Sequence, residues 1–171
     1  GVERDLPLGL KRRLHGFRSQ GSVAKVNLAL SSLPVFKGLD RRFLKDRLLV
    51  CPSLDYLETS FAACEQGAFA SDLALEITVP TFHDATLARP GHHVMSINVM
   101  YVPRKLAAGD WETAKGDLLT MIASKLRQFA PELPDQVEGA QVFTPDDLDA
   151  MGGGAGNHWH GGDLSMDQLG I

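Results

Sequence analysis

Leu73-Ala74-Leu75-Glu76-Ile77-Thr78-Val79-Pro80 and, after one short loop, Val94-Met95-Ser96-Ile97-Asn98-Val99-Met100-Tyr101-Val102 are the stretches on which the fold class turns. In the first, Leu73, Leu75, Ile77 and Val79 alternate with Ala74, Glu76 and Thr78, the period of a strand with one buried face. Pro80 ends it. In the second, Met95, Ile97, Val99 and Tyr101 face one way and Ser96 and Asn98 the other. The loop between them holds His83, Asp84 and the turn signal Arg89-Pro90-Gly91, too short for a crossover helix. Two strands on either side of such a loop pair antiparallel.

Working outward, Ala24, Val26, Leu28 and Leu30 alternate with Lys25, Asn27 and Ala29 in an earlier strand, and 137–143 reads as a late one. Leu48-Leu49-Val50-Cys51 is a short apolar run consistent with a buried strand. Helices fall at 8–19, at 53–66 and at 110–130. The second has Ser53 as N-cap, Leu54, Leu57, Phe61 and Cys64 on one face, and Gly67 at the C-cap position. The third is capped by Asp110, carries the stripe Trp111, Ala114, Leu118, Ile122, Leu126 and Phe129, and is stopped by Pro131 and Pro134. Thr144 caps a brief helix with Pro145 at its first position. Strands and helices therefore mix without strict βαβ alternation. The expectation is an α+β domain with a mixed, mainly antiparallel sheet over residues 1–151, followed by a Gly/His-rich segment at 152–171.

Composition narrows the function classes. With 17 Lys and Arg against 21 Asp and Glu the net charge is −4, which argues against a nucleic-acid or anionic-membrane binder. Apolar runs are too short for a bilayer span, which takes about 20 residues. The polar opening Gly1-Val2-Glu3-Arg4-Asp5 is no signal peptide. Cys51 and Cys64 make no disulfide framework, so a reducing, cytoplasmic setting is expected, with the mitochondrial matrix as the alternative for a eukaryotic source. Neither G-x-G-x-x-G nor G-x-x-x-x-G-K-[ST] occurs, so nothing cradles a pyrophosphate by those routes.

Few residues suggest chemistry by themselves. His158-Trp159-His160 can point two imidazoles the same way, and His92-His93 lies elsewhere, but no Cys-x-x-Cys, His-Glu-x-x-His or acidic cluster accompanies them, and no metal is assigned. Cys51 and Cys64 read as packing thiols. Nothing in the spacing pairs Glu76 with His83-Asp84 for acid–base work. Lys25 and Asn27, on the polar side of their strand, either line a pocket or face solvent.

Three stretches, in this order, carry a resemblance. They are Gly21-Ser22-Val23-Ala24-Lys25-Val26-Asn27-Leu28-Ala29-Leu30 with Leu33-Pro34; Pro90-Gly91-His92-His93-Val94-Met95-Ser96 running to Tyr101-Val102-Pro103; and Thr144-Pro145-Asp146-Asp147-Leu148 leading through Gly156-Asn157-His158-Trp159-His160-Gly161 to Leu164-Ser165-Met166-Asp167-Gln168-Leu169. Together they resemble the C-terminal half of the phytoene-desaturase-like FAD-dependent oxidoreductases, especially the branch named pyridine nucleotide-disulfide oxidoreductase domain-containing protein 2. The resemblance implies a substrate-binding domain, cut from a parent dehydrogenase or desaturase that holds FAD in a separate domain and acts on an apolar small molecule. It implies that 152–171 leads back to that absent FAD-binding domain, and that this chain alone binds no FAD and is inactive. It places Gly156, Asn157, His158, His160 and Gly161 near the flavin of the full-length protein, and Lys25, Asn27 and Trp159 against substrate. Gly152-Gly153-Gly154-Ala155-Gly156 and Trp159 between two histidines depart from the family pattern, which leaves the role of His158 open; no catalytic acid or base carries over. Expected partners are the substrate, the missing domain and a second copy through the exposed docking face. The rival expectation is a self-contained, non-enzymatic ligand-binding or protein-interaction module.

Overall fold

A computed structural model of the chain describes residues 6–19, 21–152 and Met166. Its centre is a five-stranded sheet of β1 (Val23–Leu30), β2 (Leu48–Val50), β3 (Ala74–Thr78), β4 (His93–Met100) and β5 (Val137–Phe143), in the order β2-β3-β4-β1-β5. Each neighbouring pair is antiparallel. Five α-helices, α1 (Leu8–Gly16), α2 (Leu54–Glu65), α3 (Trp111–Phe129), α4 (Leu133–Gln136) and α5 (Pro145–Gly152), accompany it, with short 3-10 turns at Arg41–Lys45, Pro80–Phe82 and Ala85–Leu87. The expected α+β class, with an antiparallel sheet, is what forms.

The alternation read in the strands fixes the core. Ala24, Val26, Leu28 and Leu30 of β1 pack with Leu75 and Ile77 of β3 and Met95, Ile97 and Val99 of β4. Leu118, Ile122 and Leu126 of α3, spaced one helical turn apart, close over that face. Asp110 caps α3 by accepting a hydrogen bond from the Thr113 N–H at 3.0 Å. The periodicity and the cap agree with each other, which is why this helix was legible from sequence.

Three expectations need correction. The run at 48–51 is an edge strand rather than a buried one: β2 pairs only with β3, and Leu49 is 62% exposed. Its apolarity reflects one half-covered face.

Helix α2 starts at the expected Ser53 cap, whose Oγ accepts the Tyr56 N–H at 3.2 Å. It ends in a Schellman turn, with Ala68 N–H donating to Ala63 O and Gly67 N–H to Cys64 O. The buried face, however, is rotated. Ser60 is 1% exposed, while Leu54 is 76% and Phe61 48% exposed. Polar anchors decide this rotation: Ser60 Oγ sits 3.0 Å from Tyr56 O and 3.2 Å from Asp72 O, and Tyr56 Oη donates to Leu73 O at 2.8 Å.

Finally, Tyr101 leaves the alternation of β4. It sits at φ 58°, a left-handed conformation that ends the strand and sets its ring edge-on to Phe61 at 5.4 Å.

Candidate functional site

Antiparallel register brings the second face of the sheet into rows. Glu76, Asn98 and Lys25 lie opposite one another across β3, β4 and β1, and Phe143 of β5 follows. One pleat along, Thr78, Ser96, Asn27 and Gln141 form a parallel row. On the other side of Lys25 lie Ala74, Met100 and Val23. Directly opposed residues share a face, so a charged row stands between a polar row and an apolar one.

Glu76 is the most enclosed of these groups, 6% exposed. Its Oε1 accepts from Asn98 Nδ2 at 3.0 Å and lies 3.2 Å from the Arg47 guanidinium, which reaches in from solvent beside β2. A carboxylate so deeply placed needs hydrogen-bonding partners, and of these two Arg47 is the one that stays largely in water. Ser96 Oγ donates to Asn27 Oδ1 at 2.8 Å, and Thr78 Oγ1 approaches Ser96 O at 3.5 Å.

Lys25 is different. It is half-buried, yet among the described residues its ammonium has no hydrogen bond and no ion pair. Burial pushes its pKa below the ordinary value; the charge of Glu76 pulls the other way and that of Arg47 adds to the lowering. Of the expected site residues, then, Lys25 and Asn27 fall on one half-buried face. Asn98, Ser96, Glu76 and Arg47 complete it. Sequence alternation put Asn98 and Ser96 on the correct side of β4, but only register places them beside Lys25.

Gly156, Asn157, His158, Trp159, His160 and Gly161 lie outside the described residues. His92 and His93 are separated by their bonds: His92 Nε2 lies 3.4 Å from Glu138, and His93 Nδ1 shares a 3.1 Å hydrogen bond with Thr81 Oγ1. Burial, Arg41 and His92 hold the His93 pKa below its usual value. Among the described residues no group of three or more His, Cys, Asp or Glu is placed to hold a metal ion. Both cysteines are free thiols, half-buried rather than fully buried. Burial, with Glu65 nearby, pushes Cys64 up to about 11, which leaves it protonated and unreactive at neutral pH.

The described residues do not fit the pyrophosphate of FAD. A dinucleotide cradle needs a glycine-rich turn from a parallel strand into a helix N-terminus. Here every strand pair of the described sheet is antiparallel. The strand-to-helix turn into α5 is already closed by Thr144 and Asp147, which cap each other through Asp147 N–H to Thr144 Oγ1 and Thr144 N–H to Asp147 Oδ2, at 3.0 and 2.9 Å. A carboxylate at that point repels phosphate.

A concavity lies on the opposite side of the sheet. Leu28, Ile122, Ala123, Leu126, Val137 and Ala140 are among the residues that line an apolar groove of about 280 Å³ between α3 and the β5 edge. No helix of the described residues is long and apolar enough to cross a membrane.

No protein-family model matches the chain. Over 174 aligned positions covering 96% of its length, it is 28% identical to pyridine nucleotide-disulfide oxidoreductase domain-containing protein 2 of Rattus norvegicus. The Mus musculus protein of the same name matches over the same span at the same identity. The chain spans 30% of the length of these curated relatives. That likeness, running along nearly the whole chain, supports the branch to which the three motifs pointed, one whose proteins carry the name of an oxidoreductase family.

Proposed function

We propose that the chain is the substrate-binding domain of an FAD-dependent, phytoene-dehydrogenase-like oxidoreductase that acts on a largely apolar small molecule. The observation that carries this reading is the second sheet face, where a half-buried Lys25 and its polar neighbours stand beside an apolar row. A sheet face exposed only to water gains nothing from desolvating an ammonium; a face that receives a ligand does. The likeness along 96% of the chain to relatives bearing an oxidoreductase name points the same way.

In this reading Lys25 and Asn27 orient the substrate, and the sheet excludes water from one side of it. The flavin belongs to another part of the parent polypeptide and supplies the hydride chemistry there. Cytoplasm, or the mitochondrial matrix of a eukaryote, is the setting that suits two free thiols.

The test is to isolate the protein from its native cells with an antibody against this chain and to record intact mass and visible spectrum. The expected result is a polypeptide much heavier than 18.6 kDa with flavin absorption. A colourless protein of that mass would overturn the reading. It would favour a self-contained binding module, for which the apolar groove beside β5 would be the natural ligand site.

A further inference from the structure

We propose that the molecule bound at this face carries a single carboxylate at one end of an apolar body, and that Lys25 with Asn27 holds that carboxylate. Calling the molecule a substrate rests on the function proposed above; the binding itself does not.

Two donors on this face are unmet. The Lys25 ammonium has no hydrogen bond or ion pair among the described residues. Two residues along β1, on the same face and roughly 7 Å away by strand geometry, Asn27 accepts from Ser96 through its oxygen. Its amide N–H groups have no partner among the described residues. Both side chains are half-buried. Glu76, the one carboxylate of the row, meets Asn98 and Arg47 through its Oε1 and makes neither a hydrogen bond nor an ion pair with Lys25. An ammonium and an amide donor side by side on a sheltered surface accept an anion.

Charge selects the kind of anion. Lys25 and Arg47 against Glu76 leave one positive charge on these rows. A monocarboxylate balances it. A phosphate monoester carries about −1.5 to −2 charges near neutral pH and would bring its excess charge against Glu76.

The rest of the ligand follows from the neighbouring side chains. Lys25 is flanked across the sheet by Phe143. The adjoining row is Ala74, Met100 and Val23, with Met100 and Val23 half-buried. Ala74 is itself fully buried, so an apolar tail lies over Val23 and Met100, covering surface that water otherwise wets, while the carboxylate remains on the lysine.

Octanoate, octanol and octyl phosphate, titrated below their aggregation limits into the 171-residue chain, test this. Affinity is read by calorimetry and the Lys25 side-chain resonances by NMR. The net value of a charge-assisted hydrogen bond predicts octanoate binding roughly ten- to a hundredfold tighter than octanol. Octyl phosphate should be weaker than octanoate, and the Lys25 resonances should move with octanoate alone. In Lys25→Met the preference for octanoate should vanish, whereas Lys25→Arg keeps most of it; thermal melts establish that both variants fold.

Equal binding of octanoate and octanol overturns the proposal, as does a preference that survives Lys25→Met. Tighter binding of octyl phosphate overturns the carboxylate assignment. A colourless native protein would remove the oxidoreductase reading and leave these titrations unchanged, so the two failures are distinct.

Discussion

Glu76 shows how much one side chain can depend on its register. At 6% exposure it meets Asn98 and Arg47 at 3.0 and 3.2 Å. Glu76→Ala leaves the Asn98 amide without its acceptor, and the expected loss is about 1–3 kcal/mol in urea unfolding. Arg47→Ala should cost less, under about 1 kcal/mol, because the guanidinium is largely in water. If the two variants lost equal stability, the pair would be acting as a buried ion pair. Gly67 illustrates a backbone constraint instead. It sits at φ +72°, and an added Cβ would meet the Ala107 nitrogen at 2.7 Å. Ala107 also donates its N–H to Gly67 O at 2.9 Å, so neither partner can retreat without breaking that bond. Gly67→Ala should therefore lower stability by about 1–3 kcal/mol, readable as a fall in the melting temperature.

At the scale of elements, the helices differ in what orients them. Helix α3 follows its apolar stripe, so Leu118→Ala should cost about 2–5 kcal/mol through the cavity it leaves. Helix α2 follows its polar anchors, so Leu54→Ser should fall within about 0.5 kcal/mol of the parent. Measuring both by chemical denaturation checks the rotation of α2: a large loss for Leu54→Ser would mean that this residue faces inward. Helix α5 is held by its cap and by three ion pairs, Lys115 with Asp147 at 3.1 Å and Arg104 with both Asp146 and Asp149, at 2.5 and 3.2 Å. The Thr144 N–H foremost, then Lys115 and the Thr144 hydroxyl, hold the Asp147 carboxyl below its ordinary 3.8, against a smaller opposing effect of burial. A depressed carboxylate pKa adds stability that is present above the unfolded value and lost as pH falls through the folded one. Asp147→Ala should therefore cost about 1 kcal/mol at pH 7. The gap between variant and parent should close below pH 3.8, as followed by melts across an acid series. A gap that stayed constant with pH would assign the loss to the cap geometry alone.

For the whole molecule, the decisive feature is that β1, first in the chain, is next to last in the sheet and pairs with both β4 and β5. Ser31 N–H donates to Gln136 O across 105 residues, a contact of very long sequence separation. Such topology folds slowly, because loop closure precedes the contacts that reward it. It also makes β5 part of the folding unit. A chain ending at Gln136 would leave β1 as an open edge and uncover Leu28 and the face of α3 over it. We expect such a truncation to lose the single cooperative transition in calorimetry and to self-associate. A sharp transition retained by the shortened chain would show that 137–152 is an appendage.

The sequence by itself determined the elements whose local signals agree. Residues 23–30, 74–78 and 93–100 alternate every second position; 111–129 repeats every helical turn under an aspartate cap; the antiparallel α+β class follows from their spacing. It also put Lys25 and Asn27 on the polar side of their strand and carried the three-motif resemblance. What it left open was decided by contacts between distant segments. The rotation of α2 depends on Asp72 and Leu73 carbonyls that Ser60 and Tyr56 reach. The edge position of β2 depends on its having one neighbour in the described sheet. The gathering of Glu76, Asn98, Lys25 and Arg47 depends on register across three strands and on a side chain from beside β2. Period and capping are short-range properties written into consecutive residues. Register and helix rotation are set by hydrogen bonds and burial between segments tens of residues apart, and those form only when the whole sheet does.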